Sequence, residues 1–232
     1  MSSTMRVGGI VQARMGSRRL PGKVLRPLAG QPLLQHVVER VARCVRVGQV
    51  VVSTSSEAQD DAIEAFCASR RVGCFRGEHD DVAGRFLQTL DHYGFGAFLR
   101  VSADSPLIDP MLMDRGLEVF ATGRYEIVTN VLKRTFPKGQ SFEIFRTDAF
   151  CRGCERMSAP EHREHVTPYF YEHANDFAIF NVSSGEDWGA LNLCVDTRED
   201  LDRVMDIFSR MDRPYWACGW RQTVEHLFAV AH

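Results

Sequence analysis

Between residues 6 and about 120 the chain alternates, four times over, a short apolar segment with a stretch of helical spacing. Few architectures accept that order. Val7–Ala13, Gln49–Ser53, Cys74–Arg76 and Ala97–Ser102 have strand character, and Gln49–Ser53 is a near-continuous apolar run of the kind buried on both faces of a sheet. A helix is expected from near Pro32, with Leu33, Leu34, Val37, Val38 and Val41 at helical spacing. Asp60, Asp61, Ile63, Phe66 and Cys67 fall in a second helix. Asp80 or Asp81 caps a third that carries Val82, Phe86, Leu87 and Leu90, and Pro110 opens a fourth. The alternation predicts an α/β fold, Rossmann-like, with a mostly parallel central sheet and helices on both faces. Ligands of such sheets bind at the C-terminal ends of the strands. There lie the Arg14–Lys23 loop, Ser53-Thr54-Ser55, the Gly77–Asp81 turn and Ala103-Asp104.

After about residue 125 the pattern changes. Glu126–Val131 and Ser141–Phe145 are expected as strands around a Phe136–Gly139 turn. Helices are expected near 147–157 and 161–174, strands at Phe177–Val182 and Leu191–Val195, and helices at Glu199–Met211 and Thr223–Val230. Nothing resembles a linker. The 232 residues are therefore read as one domain, with about 125–190 as an acceptor-binding and dimerisation lobe. Phe136, Phe142, Phe145, Phe170, Tyr171 and Phe177 suggest a homodimer contact at about 130–180, although aromatics suit a core equally well.

A net charge of −2 argues against a broad nucleic-acid surface, so basic character must be local, as in Arg14, Arg18, Arg19, Lys23 and Arg26. Seven scattered cysteines fit a reducing cytosol better than a disulfide framework. No run approaches the roughly 20 apolar residues of a membrane span. The N-terminal MSSTMRVGGIVQAR turns charged too early for a signal peptide, and a cytoplasmic protein is expected.

The first loop, Ala13-Arg-Met-Gly16-Ser17-Arg18-Arg19-Leu-Pro-Gly22-Lys23, fails both the P-loop and the dinucleotide patterns. It still has the parts a triphosphate needs. Gly16 and Gly22 allow close backbone approach, and Arg14 and Lys23 bring positive charge. The competing reading is a solvated basic loop. Asp104 follows an apolar strand and suits Mg2+, or caps the next turn. Asp196 either binds metal or serves, with Thr197 and Asp200, as a helix cap. Cys151, Cys154, His162 and His165 have zinc-like spacing but fall in expected helices, which favours solvated or core positions.

The stretch Ala13–Leu25 resembles the signature of the cytidylyltransferases that activate acidic sugars, the CMP-Kdo and CMP-sialic acid synthetases. The nearest branch is the SpsF group of spore coat polysaccharide biosynthesis. Arg100-Val-Ser-Ala-Asp104-Ser-Pro106, Asn130 with Pro137-Lys-Gly139 and Glu143, Arg163–Thr167 and Val195–Leu201 follow in the same order. The resemblance implies a nucleotide-diphospho-sugar transferase fold and Mg2+-dependent transfer of CMP from CTP to an acidic sugar or related acceptor, with release of pyrophosphate. By it, Arg14, Lys23 and Asp104 are catalytic, and Asp104 and Asp196 bind metal. Ala13, Gly16, Ser17, Ser53, Thr54, Ser55, Asp81, Arg85 and Ala103 join them around the nucleotide. Asn130, Lys138, Glu143 and His165 face the acceptor or the dimer interface. Arg18 stands where a small hydroxyl residue is expected, and Ser141 where an acidic one is, which leaves the acceptor open. A glycosyltransferase of the same fold, a non-catalytic nucleotide-binding module and a zinc or thiol protein are the other readings.

Overall fold

The computed structural model describes residues 5–229. Seven strands form one sheet. Four of them are parallel neighbours: β1 (Val7–Gln12), β4 (Gln49–Ser55), β5 (Gly73–Gly77) and β6 (Ala97–Ser102). The later segment adds β7 (Ile127–Thr129), β8 (Glu143–Arg146) and β9 (Ile179–Asn181) to the same sheet. The spatial order is β5-β4-β1-β6-β8-β7-β9, and β8 alone runs antiparallel to its neighbours. A separate two-stranded ribbon pairs β2 (Pro27–Leu28) with β3 (Gln31–Pro32).

Both faces of the sheet are covered, and the strands alternate between them as period-two backbones must. Val11, Val52, Leu99, Val128 and Ile144 face one core, with α1 (Leu33–Val41), α2 (Asp61–Arg70), α4 (Pro110–Phe120), α8 (Arg198–Ser209) and α9 (Trp220–Ala229) packed on it. Ile10, Val51, Phe98, Ile127 and Phe145 face the other, beneath α3 (Val82–Tyr93), α5 (Thr147–Arg156) and α7 (Thr167–Glu172). Phe136, Phe142, Phe145, Phe170 and Phe177 are buried within the chain. They are core residues and give no reason for a dimer contact.

Three local expectations need correction. Residues 161–174 form two helices, α6 (Pro160–His165) and α7, separated by Val166 at φ 67 and ψ −68. Pro168 lies in the first turn of α7 and cannot donate into a continuous helix. Leu191–Val195 forms no strand. Its backbone is divided between two partners: Leu193 N–H donates to the Lys138 carbonyl, and Val195 N–H to the Asp104 carbonyl. Only an isolated bridge, Lys138 to Asn192, results. The last helix begins at Trp220, earlier than expected, and Val230 lies outside the described residues.

The order of the strands positions the site. The chain runs outward from β1 through β4 to β5, then crosses back to β6 on the other side of β1. Loops after β1 and β6 therefore diverge from adjacent strands and leave a crevice between them. Gly8 and Gly9 keep β1 close to its neighbours, since a Cβ on either would strike the Phe95 ring or Val41.

Candidate active site

A cavity of about 750 Å³ opens at that crevice. Its walls come from the loop after β1 (Ala13, Arg14, Gly16, Ser17, Arg18, Arg19, Lys23), the β5–α3 turn (His79, Asp80), the first turn of α3 (Arg85), the residues following β6 (Ala103, Asp104), α6 (Glu164, His165) and Asp196.

The first loop is closed by its own backbone. The Met15 carbonyl accepts from Ser17 N–H at 2.8 Å and from Gly22 N–H at 3.0 Å, and Gly22 sits at φ 68, where a side chain would be strained. Asp60 braces the loop from behind. Its fully buried carboxylate accepts from Met15 N–H at 2.7 Å, and from Ser55 N–H and Oγ–H at the end of β4. The sequence suggests nothing of this beyond an Asp near the start of a helix.

Lys23 Nζ lies 3.1 Å from Asp104 Oδ2, 2.8 Å from Asp196 Oδ1 and 2.8 Å from the Val195 carbonyl. Burial pulls its pKa down, but Asp104 and Asp196 outweigh burial and hold it above the ordinary lysine value. Arg19 reaches the second oxygen of Asp196 at 3.0 Å. The backbone bond from Val195 N–H to the Asp104 carbonyl ties the two carboxylate-bearing loops together. The capping alternative for Asp196 is settled here: Thr197 caps α8, and the Asp200 carboxylate accepts from the Asp196 and Thr197 N–H groups. That leaves the Asp196 side chain directed at Lys23.

Arg14 flanks the cavity mouth, 3.9 Å from Glu164. Arg85 is buried and donates to the Glu78 and His79 carbonyls, shaping the β5–α3 turn. Burial lowers its pKa to about 10, so it stays charged at neutral pH.

Other expected residues lie elsewhere. Ser53, Thr54 and Ser55 are buried in β4, beside the cavity and not among its lining. Asp81 caps α3 by accepting from Gly84 N–H and pairs with Arg163 at 2.8 Å. Asn130 is turned inward onto Gln140 and Phe142, and Lys138 is exposed away from the cavity. Glu143 reaches the cavity only through Arg100, whose guanidinium it holds at 3.1 Å while Tyr171 donates to its other oxygen. His165 alone of the four acceptor candidates lines the cavity. Ser141 accepts from Arg134, and Arg18 lines the cavity rim.

Gln12 lines the cavity and was missed by sequence reasoning, while His79 and Arg100 fell within segments singled out from the sequence but were given no role of their own. Arg100 carried a usable signal, a cation inside an otherwise apolar strand. The zinc quartet is not assembled. Cys154 is buried with its thiol pushed up to about 12 by burial, and His162 pairs with Glu172 at 2.9 Å. Among the described residues no group of three or more His, Cys, Asp or Glu comes together to hold a metal. Asp104, Asp196 and the Val195 carbonyl nonetheless converge three oxygens on the Lys23 ammonium, an all-oxygen donor set of the kind that fits Mg2+.

Residues 9–211 match the family described as Cytidylyltransferase. The chain is similar to the spore coat polysaccharide biosynthesis protein SpsF of Bacillus subtilis, 32% identical over 216 residues that cover 88% of either chain. It is 34% identical over 117 residues to the 3-deoxy-manno-octulosonate cytidylyltransferase of Geobacter sulfurreducens, covering 50% of this chain and 46% of that protein. Among solved structures, a cytidylyltransferase from Leptospira borgpetersenii superposes with a TM-score of 0.93 at 31% identity, over 98% of this chain and 95% of the other.

Proposed function

The chain belongs to the cytidylyltransferase family, and from that premise we propose that it transfers CMP from CTP to an acidic sugar or a related acceptor, with Mg2+, releasing pyrophosphate. The observation that carries the reading is the pair Asp104 and Asp196 converging on Lys23, beside a glycine-bearing basic loop at the strand switch point.

In this reading an acceptor oxygen attacks the α-phosphorus of CTP, a new P–O bond forms, and the bond to pyrophosphate breaks. The chemistry needs positioning and charge neutralisation more than a covalent nucleophile. Arg14 and the N–H groups of the Gly16–Ser17 turn bind the triphosphate. Lys23 takes up charge growing on the leaving pyrophosphate. Asp104 and Asp196 hold the metal, which supplies further charge neutralisation at the phosphates. Arg85 shapes the turn against which the nucleoside lies. His165 and Arg100, the latter steadied by Glu143, face the acceptor. Among the described residues no helix is long and apolar enough to cross a membrane, and a cytoplasmic location with free thiols completes the picture. A homodimer contact on the outer surface of residues 130–180 is checked by light scattering.

A pyrophosphate-release screen of four triphosphates against acidic acceptors tests the assignment. CTP with an acidic sugar is expected to give pyrophosphate, and Asp104→Asn and Asp196→Asn each to lose roughly 10²–10³-fold in rate with the fold intact. Preference for a purine triphosphate would sink the cytidylyl reading. No turnover of any triphosphate, with nucleoside mono- or diphosphate released when a nucleotide-sugar is supplied instead, would favour a glycosyltransferase. Near-normal rates in either variant would remove that aspartate from the metal site.

A further inference from the structure

An ammonium has three N–H donors. Lys23 spends them on Asp104 Oδ2, Asp196 Oδ1 and the Val195 carbonyl, all within 3.1 Å. Its side chain is only 11% exposed. In this arrangement no donor remains for a phosphate oxygen. Holding the carboxylates and holding the triphosphate are therefore alternative states of one side chain.

The charges point the same way. The two carboxylates carry −2, and Lys23 and Arg19 balance them. A divalent cation entering between Asp104 and Asp196 would meet the Lys23 ammonium in the same position. Two like charges a few ångströms apart, partly shielded from water, repel strongly. A triphosphate changes the balance by giving the ammonium another anionic partner within reach of its flexible four-carbon stem.

We propose that Lys23 is a built-in counter-ion occupying the cation position between Asp104 and Asp196, and that it gives up this position only when a nucleoside triphosphate and its metal bind together. The inference rests on the nucleotide and metal assignment above. It assigns Lys23 a second role: it keeps the bare site closed to divalent cations and couples metal entry to nucleotide entry. Coupling of this kind is reciprocal, so each ligand strengthens the other by the same factor.

Two measurements test it, neither of them enzymatic. In the first, Mn2+ is titrated calorimetrically, without nucleotide, into the wild-type protein and into Lys23→Met, whose fold is checked by circular dichroism. The variant is expected to bind Mn2+ about 10–100-fold more tightly, the usual span of such couplings. Equal affinities would overturn the proposal. The second uses the wild-type chain, whose three lysines are Lys23, Lys133 and Lys138. With ¹³C-lysine, the Lys23 signals should stay in place when Mg2+ is added alone and move when Mg2+ and CTP are added together, with Lys133 and Lys138 as internal references. A Lys23 signal that moves on Mg2+ alone would refute the exclusion. One that ignores Mg2+ and CTP together would defeat the exchange and the triphosphate assignment at once. Equal Mn2+ affinities with a normal CTP response would defeat the exclusion only.

Discussion

Replacing Asp60 by alanine removes one carboxylate and strands three donors: Met15 N–H, Ser55 N–H and the Ser55 hydroxyl. Ser55 is buried and Met15 half-buried, so water reaches them poorly. A hydrogen bond to a charged acceptor contributes about 1.5–3 kcal/mol, and a buried donor left unmade costs about 1–3 kcal/mol. The Ser55 hydroxyl can rotate, and a water can enter the space vacated by the carboxylate, so the three terms do not simply add. We expect a loss of about 3–5 kcal/mol, or roughly 6–20 °C in Tm for a chain of this size. Asp60→Asn keeps the shape and one acceptor, and should lose about half as much. The functional consequence follows from what Asp60 holds. Met15 N–H is the anchor of the loop that carries Arg14, Gly16 and Ser17 to the cavity. Freeing it lets the loop's N–H groups spread over many orientations, and CTP must then pay for reordering them. A rise in Kd for Mg·CTP of at least about tenfold, near 1.4 kcal/mol, is expected in Asp60→Asn. Urea unfolding and calorimetric titration measure both effects. An Asp60→Ala protein within 1 kcal/mol of the wild type by the error of extrapolation, about 10–15%, would refute the stability argument. A destabilised variant with unchanged CTP affinity would show that Asp60 supports β4 and not the phosphate loop.

Gly139 at φ 93 lies against the Leu193–Cys194 backbone, and a Cβ there would sit 2.7 Å from the Leu193 carbonyl carbon. Gly139→Ala should cost about 2–4 kcal/mol, from positive-φ strain and overpacking together, and should displace the segment leading to Asp196; unchanged denaturant midpoints would contradict this. His36 is buried, with Nε2 facing the Leu28 carbonyl at 2.8 Å and Nδ1 facing the Gln31 amide at 3.2 Å, so the neutral Nε2–H tautomer satisfies both contacts. Burial lowers its pKa. A histidine depressed in the folded state contributes stability that is fully present above its unfolded pKa, near 6.5, and is lost as pH falls below that value, at up to about 1.4 kcal/mol per pH unit. His36→Gln should flatten the fall in stability between about pH 6.5 and pH 5, the window below the unfolded histidine value; an identical slope in both proteins would show that another group controls it.

The alternation of apolar strands and amphipathic helices up to residue 120 was legible because each element declares its buried face locally. Leu33, Leu34, Val37, Val38 and Val41 must share one side of a helix, and Gln49–Ser53 must be enclosed, whatever surrounds them. The same logic placed the Arg14–Lys23 loop and Asp104 at strand ends, and hence at one edge of a parallel sheet. Periodicity reports that a face is buried and is silent about its partner. It therefore could not show that β8 inserts antiparallel between β6 and β7, or that Leu191–Val195, apolar enough for a strand, divides its hydrogen bonds between two loops. Nor could it show that Ser53–Ser55 stay within the sheet while Arg100 reaches the cavity from a strand interior. The meeting of Lys23 with Asp104 and Asp196, 81 and 173 residues away along the chain, is wholly tertiary. Only when β6 lies beside β1, and Val195 N–H closes on the Asp104 carbonyl, do two carboxylates fall around one ammonium. The types of residue in the site were written in the sequence. Their charge balance, and the proposed competition of lysine and metal for one position, rest on distances that only the folded chain defines.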